Sequence, residues 1–331
     1  MGKIILTSKP SPPFRLDLTV WTLRRQESNT VDRFDGEKYQ RIIMVQNKPL
    51  EISASQSGSL EKPYLKVEAA GPQLDANDIG AVRKQVELLL GLRVDVSGFY
   101  RYVKLEPRIS DLARAFRGVK PPRFPSVFEA LVNAISCQQI SLAVGMLLMN
   151  RLAERYGAAV NDQLRWRAFP SPDVLSRLQS DSLRPLGYSL QKSKYILGLA
   201  KAITKGEVNL EQLDEMNDEQ VLASLQSIPG IGRWSAQYAM LRGLGRLNTF
   251  PGDDVGAQNG LKKLLGLRKR PDYQRIAELL EPLKPYSGLV YFHLLLNRLG
   301  HEGFIRLSNA ELVQSTPRRD KTTRRILRNV A

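Results

Sequence analysis

The chain has 331 residues, 42% of them hydrophobic, with 49 Lys and Arg against 33 Asp and Glu, a net charge of +16 and a pI near 10.0. That length suits about two domains with an ordinary core, and the charge favours a polyanionic partner such as nucleic acid or an anionic membrane surface. Cys137 is the only cysteine, which excludes an internal disulfide, a cysteine zinc site and a four-cysteine iron–sulfur cluster.

No run approaches the ~18 apolar residues of a membrane span; the richest stretch, LVYFHLLL at 289 to 296, is interrupted by His293. The first residues, MGKIILTSKPSPPF, lack a signal-peptide pattern, so a soluble monomer of the cytoplasm is expected. The stretch from Arg318 to Ala331 holds six basic residues and one acid, a net of +5, which leaves +11 on the body. Residues 306–331 therefore read as a basic, disordered tail that adds to the attraction for phosphates without being its source.

Residues 1–95 read as an N-terminal antiparallel sheet domain with a helix. FRLDLTVWTL (14 to 23) alternates apolar and polar and is expected as a strand, followed by β-rich runs between turn signals at Asp35-Gly36 and Lys48-Pro49, and by PYLKVEA. Four or five strands result. From Asn77 to Leu92 the period changes, with Ile79, Val82, Val86, Leu89 and Leu90 on one helical stripe. The break lies near residues 92 to 107, and residues 96–305 read as a succession of helices, many opening on Ser or Asp and closing near Gly. The fold class is α+β.

Within the helical part, SIPGIGRW at 227 to 234 sets Pro229-Gly230-Ile231-Gly232 between two helical patterns. Glycines there permit φ > 0 and close approach, and the turn leads into a helix N-terminus that attracts anions; a simple helix cap explains the same residues equally well. Downstream, FPGDDVGAQNG breaks the chain and opens a helix at Asp253 or Asp254. One aspartate suffices for an N-cap, worth about 1 kcal/mol. The second, facing a cleft, would stabilise a developing sugar cation, the chemistry of glycosidic cleavage. Trp234 and Tyr238 lie one helical turn apart and read as core or as the wall of such a cleft. Only His293 and His301 are available for histidine chemistry, and His293 reads as a core residue.

IPGIGRWSAQYAMLRGLG followed by FPGDD resembles the helix-hairpin-helix DNA glycosylases, and Asp254 follows Trp234 by 20 residues as that family's signature requires. FEALVNAISCQQIS, LGYSLQKSKYILGLA and KPYSGLVYFHLLL extend the resemblance, over about residues 12 to 300, to the bacterial 3-methyladenine DNA glycosylase II group, whose N-terminal sheet domain is similar to half of a TATA-binding protein.

The resemblance implies a monofunctional enzyme that flips alkylated bases out of double-stranded DNA and hydrolyses the N-glycosidic bond. It implies Asp254 as the catalytic carboxylate, Asp253 as its structural neighbour, and Trp234, Tyr238 and Leu295 as the base pocket. Gly230, Ile231 and Gly232 become the phosphate-contacting loop, Gln138 or Gln139 the wedge that enters the duplex, and the backbone carbonyls of Gln226, Ile228 and Ile231 the ligands of a monovalent cation, with no other cofactor. Trp234 stands where bifunctional members carry a Schiff-base lysine, so no strand-nicking step is expected. Leu295 and Val255 stand where the pattern has a tryptophan and a tyrosine, which leaves the lesion range open. Excision of deaminated or oxidised bases, and non-catalytic binding of damaged DNA, remain the alternatives.

Overall fold

The computed structural model describes residues 2–161 and 165–305, apart from the Leu105 side chain; the basic tail lies outside the described residues. Five antiparallel strands, β1 (Gly2–Ser8), β2 (Arg33–Phe34), β3 (Lys38–Val45), β4 (Lys48–Ser59) and β5 (Lys62–Gly71), form one sheet in the order β1-β5-β4-β3-β2. β1, which the sequence reading did not include, closes the edge by pairing Gly2 with Gly71 through Ser8 with Leu65.

The β3–β4 turn is not at Lys48-Pro49. Val45 pairs with Lys48, and the turn is the two-residue Gln46-Asn47, both at positive φ (48° and 63°), the backbone a tight hairpin demands. Asp35-Gly36 does turn the chain: Asp35 Oδ1 accepts the N–H groups of Glu37 (2.9 Å) and Lys38 (2.7 Å), and Gly36 has φ 105°.

The expected strand at 14 to 23 is instead helix α1 (Leu16–Arg24). Alternation misled because the helix is buried on nearly every side, so no single polar face marks its period; Thr19 and Thr22 are buried with the apolar residues. Their hydroxyls are satisfied inside the helix, Thr19 Oγ1 donating to the Arg15 carbonyl and Thr22 Oγ1 to the Thr19 carbonyl, each at 2.8 Å. A buried threonine thus looks polar in sequence and behaves as core.

α2 (Ile79–Leu89) follows a short 3-10 turn, Ala76–Asp78, and buries Val82, Val86 and Leu89. The remaining helices are α3 (Ser97–Tyr102), α4 (Pro107–Ala115), α5 (Val127–Cys137), α6 (Leu142–Tyr156), α7 (Pro172–Ser176), α8 (Leu190–Thr204), α9 (Asp218–Gln226), α10 (Arg233–Ala239), α11 (Val255–Leu265), α12 (Tyr273–Leu280) and α13 (Ser287–His301). Ser126, Ser141, Ser189, Asn217, Asp254 and Asp272 all cap helices with their side chains.

Two cores result. The first joins the sheet (Tyr39, Ile52, Val67) to α5, α6 and α8 through α10; the second joins α3 and α4 to α11 through α13. Helix α1 serves both, sending Leu16, Val20 and Leu23 into the first and Leu18 and Trp21 into the second. The sheet is pinned to α5 by a buried ion cluster: Arg41 donates Nη1 to Asp32 (2.8 Å) and Nη2 to Glu129, and Tyr39 donates to Asp32 at 2.6 Å. Burial opposes the Arg41 charge, and Asp32 and Glu129 more than reverse it, holding the guanidinium well above its ordinary value; burial pushes Glu129 up.

Candidate active site

Between α9 and α10 the chain makes its turn in six residues, Ser227 to Gly232, rather than the four read from the sequence, because α9 ends at Gln226. Gly230 has φ 88°, and a Cβ there would lie 2.3 Å from the ring of Tyr195 on α8. Glycine is required on both counts. The three expected phosphate-contacting residues are not equivalent. Ile231 buries its side chain and commits its N–H to the Ile228 carbonyl (3.0 Å), whereas Gly232, the N-cap of α10, is exposed with open space around it.

Gln138 and Gln139 also separate. Gln138 Nε2 donates to the Gly230 carbonyl (2.9 Å) and to Ser235 Oγ (3.0 Å), binding the end of α5 to the hairpin. Its own carbonyl and that of Ser136 accept from Lys192 Nζ at 2.8 and 2.9 Å. Gln139 is exposed, held at φ 57° just before α6.

The two aspartates divide the work differently from the sequence expectation, in which one caps and the other faces a cleft. Asp254 does both. Its Oδ1 caps α11 by accepting the Ala257 N–H (2.8 Å), and its Oδ2 accepts Trp234 Nε1–H (3.2 Å) and the Tyr291 hydroxyl (3.0 Å). Three donors from three helices converge on one half-buried carboxylate, a set that only an acceptor group satisfies. Burial first, and the Asp254 charge second, hold the Tyr291 hydroxyl well above its ordinary value, so it stays a donor.

Asp253 instead receives a two-pronged bond from Arg233, Nε at 2.7 Å and Nη2 at 2.9 Å, and the same guanidinium lies 3.8 Å over the Tyr273 ring. The start of α10 is thereby tied to the aspartate turn and to α12. Across Gly256, a Cβ would meet Asp254 Oδ1 and Arg298 Nη1, each at 3.1 Å, which leaves room for no side chain there without displacement.

Trp234 is half-buried, with its ring 5.6 Å from that of Tyr238. Tyr238 is sealed in: its hydroxyl donates to Asn133 Oδ1 and accepts from Arg25 Nη1, both at 2.9 Å. Leu295 belongs to the second core, one helical turn beyond Tyr291 and partly exposed. The structure therefore brings Trp234 and Asp254 into contact, sets Tyr238 behind them, and leaves Gly232 and Gln139 at the surface. A cavity of about 290 Å³ opens nearby, lined by Gln237, Gly252 and Tyr273 but by neither Trp234 nor Asp254.

Tyr291, Arg233 and Arg25 were missed by sequence reasoning. Tyr291 lies four residues before Leu295, so helical spacing could have found it; Arg233 had no signal beyond adjacency to Trp234, and Arg25 follows a segment misread as a strand.

Residues 132–285 match the model of the HhH-GPD superfamily base excision DNA repair proteins. The chain belongs to that superfamily. A DNA-3-methyladenine glycosylase of Bacillus subtilis is 33% identical over 60% of this chain and 66% of its own length, and DNA-3-methyladenine glycosylase 2 of Escherichia coli is 34% identical over 54% and 61%. The matches thus span about three fifths to two thirds of these curated relatives. The solved 3-methyladenine DNA-glycosylase from Archaeoglobus fulgidus is 26% identical with a TM-score of 0.78, covering 88% of this chain and 97% of its own. That superfamily likeness extends through the α+β arrangement of sheet and helices, not only the hairpin. Among the described residues no helix is long and apolar enough to cross a membrane.

Proposed function

We propose that this chain is a monofunctional DNA glycosylase that excises alkylated bases from duplex DNA in base excision repair. The observation that carries the reading is the Asp254 carboxylate, fixed by Trp234, Tyr291 and the first turn of α11 beside the glycine turn. With a nucleotide rotated out of the helix, the C1′–N bond breaks with its electron pair going to the base, and the cation left on the sugar faces Asp254. Water, oriented by the carboxylate, adds at C1′ and releases its proton to solvent. A purine alkylated at N3 or N7 is cationic and leaves neutral, so no general acid is needed.

Trp234 offers the half-buried ring on which the extruded base stacks. Tyr238 supports it from behind, and Leu295, one helical turn beyond Tyr291, completes the pocket in this reading. Gly232, with the Gly230–Ile231 turn that presents it, takes a backbone phosphate. Gln139 enters the duplex where the base has left; Gln138 holds the hairpin. The carbonyls of Gln226, Ile228 and Ile231 are hard oxygen donors that suit a monovalent cation, and Ile228 keeps a lone pair after accepting Ile231 N–H. Such an ion would stiffen the turn that meets phosphate; no step of the reaction passes through it. Net charge of +16 supplies non-specific affinity that falls steeply as salt rises.

The test is release of alkylated bases from methylated duplex DNA by the wild type and Asp254→Asn. The variant keeps a cap, so stability changes by about 1 kcal/mol or less, while release falls by roughly 10²–10³. Equal release by both removes Asp254 from the reaction, and tight binding without release by the wild type favours a damage-binding protein. With Trp234 in the lysine's place and Lys192 committed to two carbonyls, no nick above background forms at abasic sites.

A further inference from the structure

Behind the aromatic wall lie two buried guanidinium groups. Arg25 is 4% exposed and Arg242 is 1% exposed. Arg25 Nη1 donates to Tyr238 Oη (2.9 Å) and Asn133 Oδ1 (3.2 Å), and its Nε to the Leu23 carbonyl (3.3 Å). Arg242 donates Nη2 to the Thr22 carbonyl (2.6 Å) and lies among three rings, those of Phe124 (5.0 Å), Phe292 (5.3 Å) and Tyr238 (5.5 Å). Its Nε and Nη1 have no hydrogen-bond partner.

Other arginines around the site are matched by acids, Arg233 by Asp253 and Arg298 by Glu302 at 3.7 Å. Among the described residues, Arg25 and Arg242 have no carboxylate within 4.0 Å. They do satisfy the last carbonyls of α1, but a helix end carries only about half a charge. Asp32 acts on both guanidinium groups from farther off, while at Tyr238 itself the Arg25 and Arg242 charges stand against that of Asp254, two positive to one negative. One face of Tyr238 already receives a cation, so the wall is a poor place for a second one.

We infer that Arg25 and Arg242 form a cationic floor that selects by charge, accelerating loss of bases that are uncharged on the sugar more than loss of bases that are already cationic. The inference rests on the glycosylase reading and narrows its substrate class. When the C1′–N bond of an uncharged lesion breaks, the electron pair leaves with the base as an anion, and the anion later takes up the proton given by the attacking water. Two nearby positive charges favour that departing anion. A cationic base leaves neutral, gains nothing from them, and is repelled on entry. The floor comes from α1 and the turn after α10, so the N-terminal segment takes part in choosing the base.

The experiment compares kcat/KM for ethenoadenine, uncharged, and 7-methylguanine, cationic, in otherwise identical duplexes, each divided by its spontaneous rate of loss. In the wild type the ratio favours ethenoadenine by about tenfold or more, the order expected of a buried, unscreened charge near the departing base. Arg25→Gln keeps donors toward Tyr238 and Asn133 but removes the charge, and lowers the ratio about tenfold; Arg25→Lys restores it. A fall in both rates with an unchanged ratio would mean a structural cap on α1 and overturn the inference. A wild-type ratio at or below one overturns it whether or not the variants fold. Release of neither base by the wild type removes the glycosylase reading itself, and with it the floor's role.

Discussion

Two buried polar clusters in this protein are built on opposite plans. At the junction of sheet and α5, one guanidinium, Arg41, meets two carboxylates, Asp32 and Glu129, and Tyr39 donates to Asp32 as well. Beside the hairpin, one carboxylate, Asp254, lies before two guanidinium groups that have none of their own. The first cluster answers its charges where they stand. Each cluster leaves a guanidinium Nε without a hydrogen-bond partner, Arg41 in the first and Arg242 in the second, but only in the second do the guanidinium groups lack a carboxylate in contact, and a neighbourhood left electrically incomplete is one that a substrate can complete. The comparison separates holding a fold together from preparing a reaction.

The largest effect tests the first cluster. Arg41→Met leaves Asp32 and Glu129 buried without their cation, and stability should fall by about 3–5 kcal/mol. Urea unfolding measures it, and at a temperature where the variant stays folded its base release per folded molecule should match the wild type. A rate loss there would mean the clusters are not independent.

His293 supplies a check on pH. It is fully buried two residues past Tyr291, donates Nδ1 toward the Leu289 carbonyl (2.7 Å), packs 4.9 Å from Phe99, and burial pulls its pKa down to about 4. The unfolded chain binds the proton near 6.5 and the folded chain only near 4, so stability is complete above 6.5 and drains away as pH falls toward 4, by about 3 kcal/mol in all. His293→Leu should flatten that limb of unfolding against pH. An unchanged limb would assign the acid sensitivity to the carboxylate clusters instead.

What the sequence disclosed follows the same division. Helices with one buried face and a capping Ser, Asn or Asp were legible, as was the glycine turn, because turn chemistry is local; that chemistry left Asp253 and Asp254 equal as the cap, and only the family resemblance pointed to Asp254. Helix α1 was not, since burial on all sides erased its period, and with it went Arg25, whose importance exists only once α1 is placed behind Tyr238. The separation of Gln138 from Gln139 is likewise a matter of contact: adjacent and identical in sequence, one reaches across to the Gly230 carbonyl and the other does not. Nor could spacing show that Asp254 both caps and faces Trp234, because each role predicts the same residue at the same place.

The smallest effect sharpens the second cluster. Trp234→Phe keeps an aromatic face for stacking but deletes the Nε1–H bond to Asp254 Oδ2, and a hydrogen bond to a charged acceptor is worth about 1.5–3 kcal/mol. The carboxylate retains Tyr291 and the α11 cap, so about tenfold of the rate should be lost, at the low end of that range. Tyr291→Phe removes the bond from the other side and should cost a similar amount. If the two bonds fix one rotamer of Asp254, either deletion frees it, and the double variant should lose less than the product of the single losses. Strict multiplicativity would mean instead that each donor acts on the carboxylate's charge alone, and that the capping bond to Ala257 is sufficient to aim it.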